Sequence, residues 1–289
     1  MLYVGTSGYS YDDWIGTYYP EGIGKTEMLP FYAREFKTTE INYTYYRMPN
    51  ARTLKAMADK VPDDFVFSIK ASKELTHERE DVTFFEQFNT ALTPLIEQHK
   101  LGCVLAQFPN SFKPSAENRD YLKVFRERMG DLPVAVEFRN SGWITDETMD
   151  LLRQYNLGYC CVDEPHLKGL IPPIAVATAP VAYVRFHGRN YQKWWQHDES
   201  WERYNYSYST EELQEWVPRI EQLTQAAPTT YVYTNNHYRG QAVDTVRQIK
   251  LLLEQAGEKV AWGRAGRPAA QGRGPVSLSR DRVSCGAVT

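Results

Sequence analysis

The chain has 289 residues, 42% hydrophobic and 24% charged, which is enough apolar material for one large α/β domain or two smaller ones and too much for a disordered chain. Its formal net charge is −3, but the stretch from Ala261 to Thr289 carries five arginines against one aspartate, so residues 1–260 carry −7. A body of that sign excludes broad electrostatic attraction to nucleic acid and leaves room only for local basic patches.

The first strand signal, "LYVGTS" (2–7), begins almost at the N-terminus. The basic and apolar regions of a signal peptide are missing from it, and no run of about 18 apolar residues follows anywhere. A cytoplasmic protein without a membrane segment is expected. The second strand signal, "TTEINYTY" (38–45), leads to a helical pattern, "NARTLKAMADK", that starts on the cap residue Asn50. "FVFSIKA" (65–71) and "LGCVLAQF" (101–108) follow as strands, then the helix "SAENRDYLKVFRERM" behind Ser115. "PVAVEFR" (133–139) and "LGYCCVD" (157–163) are the fifth and sixth strands. The connection after them, "EPHLKGLIPPIAVATAP", holds too many prolines for a helix. "VAYVRFHG" (181–188) is the seventh strand, "STEELQEW" starts a helix with Ser209 and Glu212 at capping-box spacing, and "TTYVYTNN" (229–236) is the eighth.

Strands alternating with helices predict a parallel sheet with helical crossovers, and eight such units in residues 1–260 fit a (β/α)8 barrel as a single domain. A doubly wound open sheet is the rival. The barrel is preferred because the strands begin apolar and end polar: Glu40 and Asn42, Ser68 and Lys70, Gln107, Glu137 and Arg139, Asp163, Arg185 and His187, and Asn235 or Asn236. Pointed inward, these ends converge on the C-terminal mouth, where barrel enzymes build their sites. The tail from Ala261, rich in Gly, Ala and Arg, has a disordered composition. Cys103, Cys160, Cys161 and Cys285 lack metal-ligand spacing and read as small buried hydrophobes in a reducing compartment.

The segments "GTSGYSYDDWIGTYYP", "EINYTYYRMP", "FSIKASKELTH", "LAQFPNSF", "VEFRNSGW", "VDEP", "YVRFHGRN" and "YTNNHYRGQA" resemble the domain-of-unknown-function 72 family, also called the YecE-like family, over about residues 2–255. Tyr9 stands where the family usually has Trp, and Tyr43 where a small residue is common. The resemblance implies a TIM barrel, leaves the reaction open, and marks Glu40, Asn42, Lys70, His77, Glu137, Arg139, His187, Arg189, Asn235, Asn236 and His237 as pocket positions. The barrel is also similar to those of apurinic-site endonucleases and sugar isomerases, an analogy of fold alone.

From the residues themselves, Glu137 or Glu40 suits a general base and His187 a general acid, since burial and neighbours tune both types. Lys70 has three readings: a bridge to Glu40, an anion contact, or a Schiff-base amine. Guanidinium forks bind phosphate or carboxylate, so Arg139, Arg185 and Arg189 point to an anionic substrate group. The plain alternative is a core charge layer in which Glu137 pairs with Arg139 or Arg185. The loop "RNYQKWWQHDESWERYNYSYS" and the first loop, with Tyr9, Tyr11, Trp14, Tyr18 and Tyr19, predict an aromatic rim suited to stacking on a base or sugar. A metal set of Glu40, Glu137, Asp163 and His187 would compete with the arginines, so neither metal nor cofactor is expected. The partner expected is an anionic small molecule or nucleic-acid fragment. A non-catalytic nucleic-acid-binding barrel and a small-anion sensor are the alternatives.

Overall fold

The computed structural model describes residues 1–263; the reading of a tail falls, from residue 264 onward, outside the described residues. The eight strands appear in the expected places: β1 (Leu2–Ser7), β2 (Thr38–Ile41), β3 (Val66–Lys70), β4 (Leu101–Gln107), β5 (Val134–Glu137), β6 (Gly158–Asp163), β7 (Val181–Phe186) and β8 (Thr229–Thr234). Each pairs in parallel with the next, and β8 and β2 both pair with β1, so the sheet closes into a barrel. The open-sheet rival is thereby set aside. Closure between β1 and β2 requires Gly5: a Cβ there would stand 2.4 Å from the Thr38 carbonyl oxygen. Below that point a short ninth strand, β9 (Val260–Ala261), pairs with Leu2 and Tyr3 of β1. Trp262 then packs edge-on against Phe36, carrying the fold past the expected boundary at residue 260.

Helices α1 (Lys25–Glu35), α2 (Tyr43–Tyr46), α3 (Ala51–Ala58), α4 (Thr83–Glu97), α5 (Ala116–Met129), α6 (Asp146–Gln154), α7 (Thr210–Gln214), α8 (Val217–Ala226) and α9 (Gln241–Gln255) fill the connections, save that between β6 and β7. The anticipated starts are real. Asn50 accepts from the Thr53 amide, Ser115 from the Asn118 amide, and Ser209 and Glu212 complete a reciprocal capping box. In α4, Phe85, Phe88, Leu92 and Leu95 recur at helical spacing and are buried on the barrel side. Full burial of such side chains stabilises the fold by about 1.5–3 kcal/mol each, which is why this face and not intrinsic propensity holds the helix in place. No helix among the described residues is long and apolar enough to cross a membrane.

Inside the barrel the pleat alternation sorts the strand residues into tiers. Tyr3 stacks on Tyr231 near the N-terminal end, and Tyr233 hydrogen-bonds Thr38 and Ser68 in the middle. Glu40, Glu137 and Arg185 lie above them, toward the C-terminal mouth.

Candidate active site

A chain of buried ion pairs spans the mouth. Arg185, only 1% exposed, donates through Nη2 to Glu40 Oε1 and through Nη1 to Glu137 Oε2, both at 2.7 Å. The Tyr183 hydroxyl donates to the other Glu40 oxygen at 2.7 Å. On the opposite side of Glu137, Arg139 donates to Oε1 at 2.7 Å and reaches Glu164 Oε2 at 3.2 Å. His187 Nε2 lies 3.2 Å from Glu137 Oε1, and its Nδ1 lies 3.2 Å from the Asn235 amide nitrogen. Strand parity produces this convergence, because Glu137 and Arg139, Arg185 and His187, and Asn235 all extend the inward faces of β5, β7 and β8.

The electrostatics follow from the pairing. Burial alone would raise the Glu137 carboxyl, but Arg139, Arg185 and His187 outweigh it and hold the group well below the usual carboxylate range. Burial and the neighbouring Arg139 guanidinium push His187 down to about 3, so its ring is neutral. The neutral ring meets the Asn235 amide at Nδ1, and at Nε2 it meets both Glu137 Oε1 and the Arg139 guanidinium, each at 3.2 Å. Burial raises the Glu164 carboxyl despite Arg139 and the Ile171 amide that it accepts from.

These environments revise several roles assigned from sequence. Glu137 is saturated with cationic donors and held ionised, so it makes a weak base; His187, held neutral, lacks the imidazolium proton and makes a weak acid. Glu40 and Arg185 are fully buried and engaged with each other, which places them under the site as a scaffold. Of the two arginines that pair with Glu137, Arg139 keeps an open side, with 19% of its side chain exposed against 2% for Arg185.

Above the chain of charges lies a cleft of about 290 Å3 lined by residues including Tyr45, Lys70, Gln107, Arg139, Arg203 and Tyr204. Lys70 Nζ donates to the neutral Gln107 Oε1 at 2.8 Å and stands 4.5 Å above the Tyr45 ring. Among the described residues, neither Lys70 nor Arg203 forms an ion pair with a carboxylate, so the bridge from Lys70 to Glu40 is not made. Burial, with the Arg185 charge, pushes the Lys70 amine down to about 7, against the opposing pull of Glu137 and Glu40. His77, on a π-helical turn over 74–78, meets Tyr45 edge-on and accepts or donates at Nδ1 with the Thr76 hydroxyl. Burial and the charges of Lys70 and Arg79 push it down to about 4. Asn42, just past β2, keeps its side-chain oxygen buried without a partner among the described residues.

Other expected site residues lie elsewhere. Asp163 points out of the barrel, where it accepts from the Trp216 indole at 2.6 Å, from the Tyr208 hydroxyl at 2.6 Å and from Arg189. That bonding, extended by Glu215, consumes Arg189, so it is no substrate contact. Asn236 also faces outward, donating to Tyr206 and Thr245. Trp14 is buried with its indole N–H donated to the His237 carbonyl, and the His237 ring stacks on Tyr11 at 4.7 Å. The first-loop tyrosines Tyr18 and Tyr19 pack against Phe31 of α1. The seventh loop supplies Trp194, Trp195 and Tyr204 to the rim as expected, and Tyr45 and Tyr46 of α2 stand there in place of the first loop; Tyr46 is 76% and Trp195 60% exposed. Glu164, Arg203 and Tyr45 were not anticipated. Glu164 alone left a signal, since it continues the inward parity of Cys160, whose thiol faces Glu137. Among the described residues, no group of three or more His, Cys, Asp or Glu side chains is arranged to hold a metal ion.

A closed parallel barrel with its polar cluster at the C-terminal mouth defines a (β/α)8 protein whose site is built from strand ends and the loops after them. The family model described as "Protein of unknown function DUF72" matches residues 3–272, and the chain belongs to that family. It is 32% identical to the UPF0759 protein YunF of Bacillus subtilis (strain 168) over 271 residues, covering 88% of this chain and 95% of that one. The UPF0759 protein YecE of Escherichia coli (strain K12) is 24% identical over 274 residues, covering 86% and 91%. Among solved structures, a DUF72 family protein from Thermotoga maritima MSB8 superposes with a TM-score of 0.81 at 41% identity, covering 88% of this chain and 99% of that one. One from Enterococcus faecalis V583 gives 0.79 at 26% identity, covering 88% and 96%.

Proposed function

We propose that the barrel mouth binds a small anionic molecule carrying a flat ring, such as a nucleotide or a phosphosugar, and performs acid–base chemistry on it with Lys70. The observation that carries this reading is the pair of cations, Lys70 and Arg203, that line the cleft without a carboxylate partner among the described residues. Arg139, with 19% of its side chain exposed, lines the same wall. A phosphate or carboxylate held there replaces water around charges that the protein itself leaves uncompensated. Tyr46 and Trp195 supply exposed faces on which a ring can stack. Lys70, pushed down to about 7, is present as amine and ammonium together at neutral pH, the condition for passing a proton in either direction.

The test is thermal stabilisation by sulfate, ribose 5-phosphate and AMP, measured for the parent, Lys70→Met and Arg203→Ala. The parent gains stability with at least one of the phosphate compounds, and each variant loses most of that gain. A parent that no anion stabilises, or variants stabilised as much as the parent, would refute the reading.

A further inference from the structure

Resting on the cleft described above, we infer that the substrate is an aldehyde or ketone bearing a phosphate or carboxylate group, and that Lys70 attacks its carbonyl carbon to form a Schiff base. Three features of the geometry point to it. First, the hydrogen-bond partner of Nζ is the neutral carbonyl oxygen of Gln107, at 2.8 Å. An amine satisfies that acceptor with an N–H as well as an ammonium does, so the bond fixes Nζ without requiring its charge and leaves the lone pair free to face the cleft. Second, the charged groups around it are balanced against a proton. Burial and Arg185 oppose protonation most strongly and Arg139 adds to them, while Glu137 and Glu40, both already paired with guanidiniums, favour it less. Tyr45 under the amine and His77 beyond it add no charge, since burial holds the tyrosine as phenol and the histidine as imidazole. Third, Arg203 and Arg139 line the same cleft and can hold the anionic end of the molecule, so that its carbonyl is delivered to Nζ in place of water.

The step balances without an external oxidant or reductant. The Nζ lone pair forms the C–N bond as the carbonyl π electrons move to oxygen. The oxygen then leaves with both amine hydrogens as water, and solvent returns one proton to the imine nitrogen. The iminium so formed withdraws electrons from the neighbouring carbon, which prepares a proton abstraction or a carbon–carbon cleavage at that position. A lysine poised between its two protonation states is suited to this, because the attacking form is abundant near neutrality.

The full chain is treated at pH 7 with pyridoxal 5′-phosphate, a probe that combines an aldehyde, a phosphate and a flat ring, and the adduct is fixed with sodium borohydride. Peptide mapping then gives the labelling rate at each lysine. Lys70 is expected to label at least about ten-fold faster than the exposed Lys25 and Lys55 of the same molecule, and Lys70→Arg to lose that fast adduct while keeping the slow ones. Sulfate is expected to slow the labelling of Lys70 by competing for the cleft. Equal rates at Lys70, Lys25 and Lys55, or an undiminished fast adduct in Lys70→Arg, would overturn the inference. Failure of the underlying reading looks different. If sulfate and AMP stabilise the parent while labelling is unselective, the anion cleft stands and the nucleophile falls. If Lys70 labels selectively and neither anion stabilises or competes, the nucleophile stands and the anion cleft falls.

Discussion

Replacement of Arg185 by methionine tests whether the ion-pair chain is what holds the mouth of the barrel together. Arg185 is 1% exposed and its guanidinium bridges Glu40 and Glu137 at 2.7 Å on each side, so its loss leaves two carboxylates in a dry interior. They are not equally exposed to the damage. Glu137 keeps Arg139 and His187, whereas Glu40, among the described residues, keeps only the Tyr183 hydroxyl. Removing one member of a buried pair costs about 3–5 kcal/mol, and most of that here falls on Glu40. For a domain of this size each kcal/mol shifts the melting temperature by about 2–4 °C, so Arg185→Met melts about 6–20 °C below the parent at pH 7. Circular dichroism during heating, backed by urea titration, reads the change directly. Adding Glu40→Gln to the same chain removes the stranded charge and restores at least about 1 kcal/mol, a coupling that independent sites would not display. Arg139→Ala provides the contrast, because 19% of that side chain is exposed and water can reach the vacated position; its loss is smaller than that of Arg185. An Arg185→Met variant within about 1 kcal/mol of the parent would refute the reasoning, since it would mean that the barrel interior hydrates or protonates Glu40 at little cost.

Three further outcomes follow from the same environments. His187 sits at about 3 when folded, below its ordinary value, so the unfolded chain binds the extra proton and stability falls as pH drops from about 6.5 toward 3. His187→Gln flattens that acid limb in a pH series of urea titrations, and does not abolish it, because His77 at about 4 contributes with the same sign; an unchanged slope would count against a buried neutral ring. For Lys70, lowered to about 7, the folded state disfavours the charged form, a penalty complete below about 7 and relieved as pH rises toward the ordinary lysine value. Lys70→Met therefore melts higher than the parent at pH 7, with the gain shrinking toward pH 10, and a lower melting temperature would contradict the assignment. Asp163→Ala leaves Arg189 with Glu215 and takes the acceptor from the buried Trp216 indole and Tyr208 hydroxyl, so it loses about 3–5 kcal/mol in urea while the relative stabilisation by phosphate ligands is unchanged; a selective loss of ligand response would return Asp163 to the site.

The barrel was legible because its signals are local and repeated. Each strand announces itself by an apolar run, and the caps at Asn50, Ser115 and Ser209 depend on residues three positions apart. The length of β2 was not legible. "TTEINYTY" alternates like a strand to Tyr45, yet pairing with β3 runs only from Thr38 to Ile41, and the tyrosines that follow coil into α2. Their β-preference describes a half-buried pleated surface, and the pairing with β3 that supplies one stops at Ile41. That early turn brings Tyr45 under Lys70, which is why the ring appeared in the site without having been foreseen.

The site was legible only where a strand revealed its own parity. In "VEFR" the two charges stand two residues apart, so both must share a face, and both do reach the mouth. In "VDEP" two acids are adjacent, and composition cannot say which one turns inward. Tyr208 and Trp216, some fifty positions further along the chain, settle it by claiming Asp163 for the helix layer. The first-loop aromatics failed for a related reason. A tryptophan in a loop has the same sequence signature whether it lines a rim or fills the space beneath it, and Trp14 takes the second place because the His237 carbonyl is there to accept its N–H. Cations present the same ambiguity in a sharper form. Arg185 and Glu40 lie 145 positions apart, so their pairing is a property of barrel closure and of nothing nearby in sequence. Arginines assigned to a substrate before their partners are known will therefore include those already spent on the scaffold, as Arg185 and Arg189 are. The cations left over at the mouth are Lys70, whose neighbour across the sheet contributes an amide, and Arg203, which stacks on Trp194. What sets them apart is the absence of an acid paired with them among the described residues, a feature that exists only once the chain has closed into a barrel.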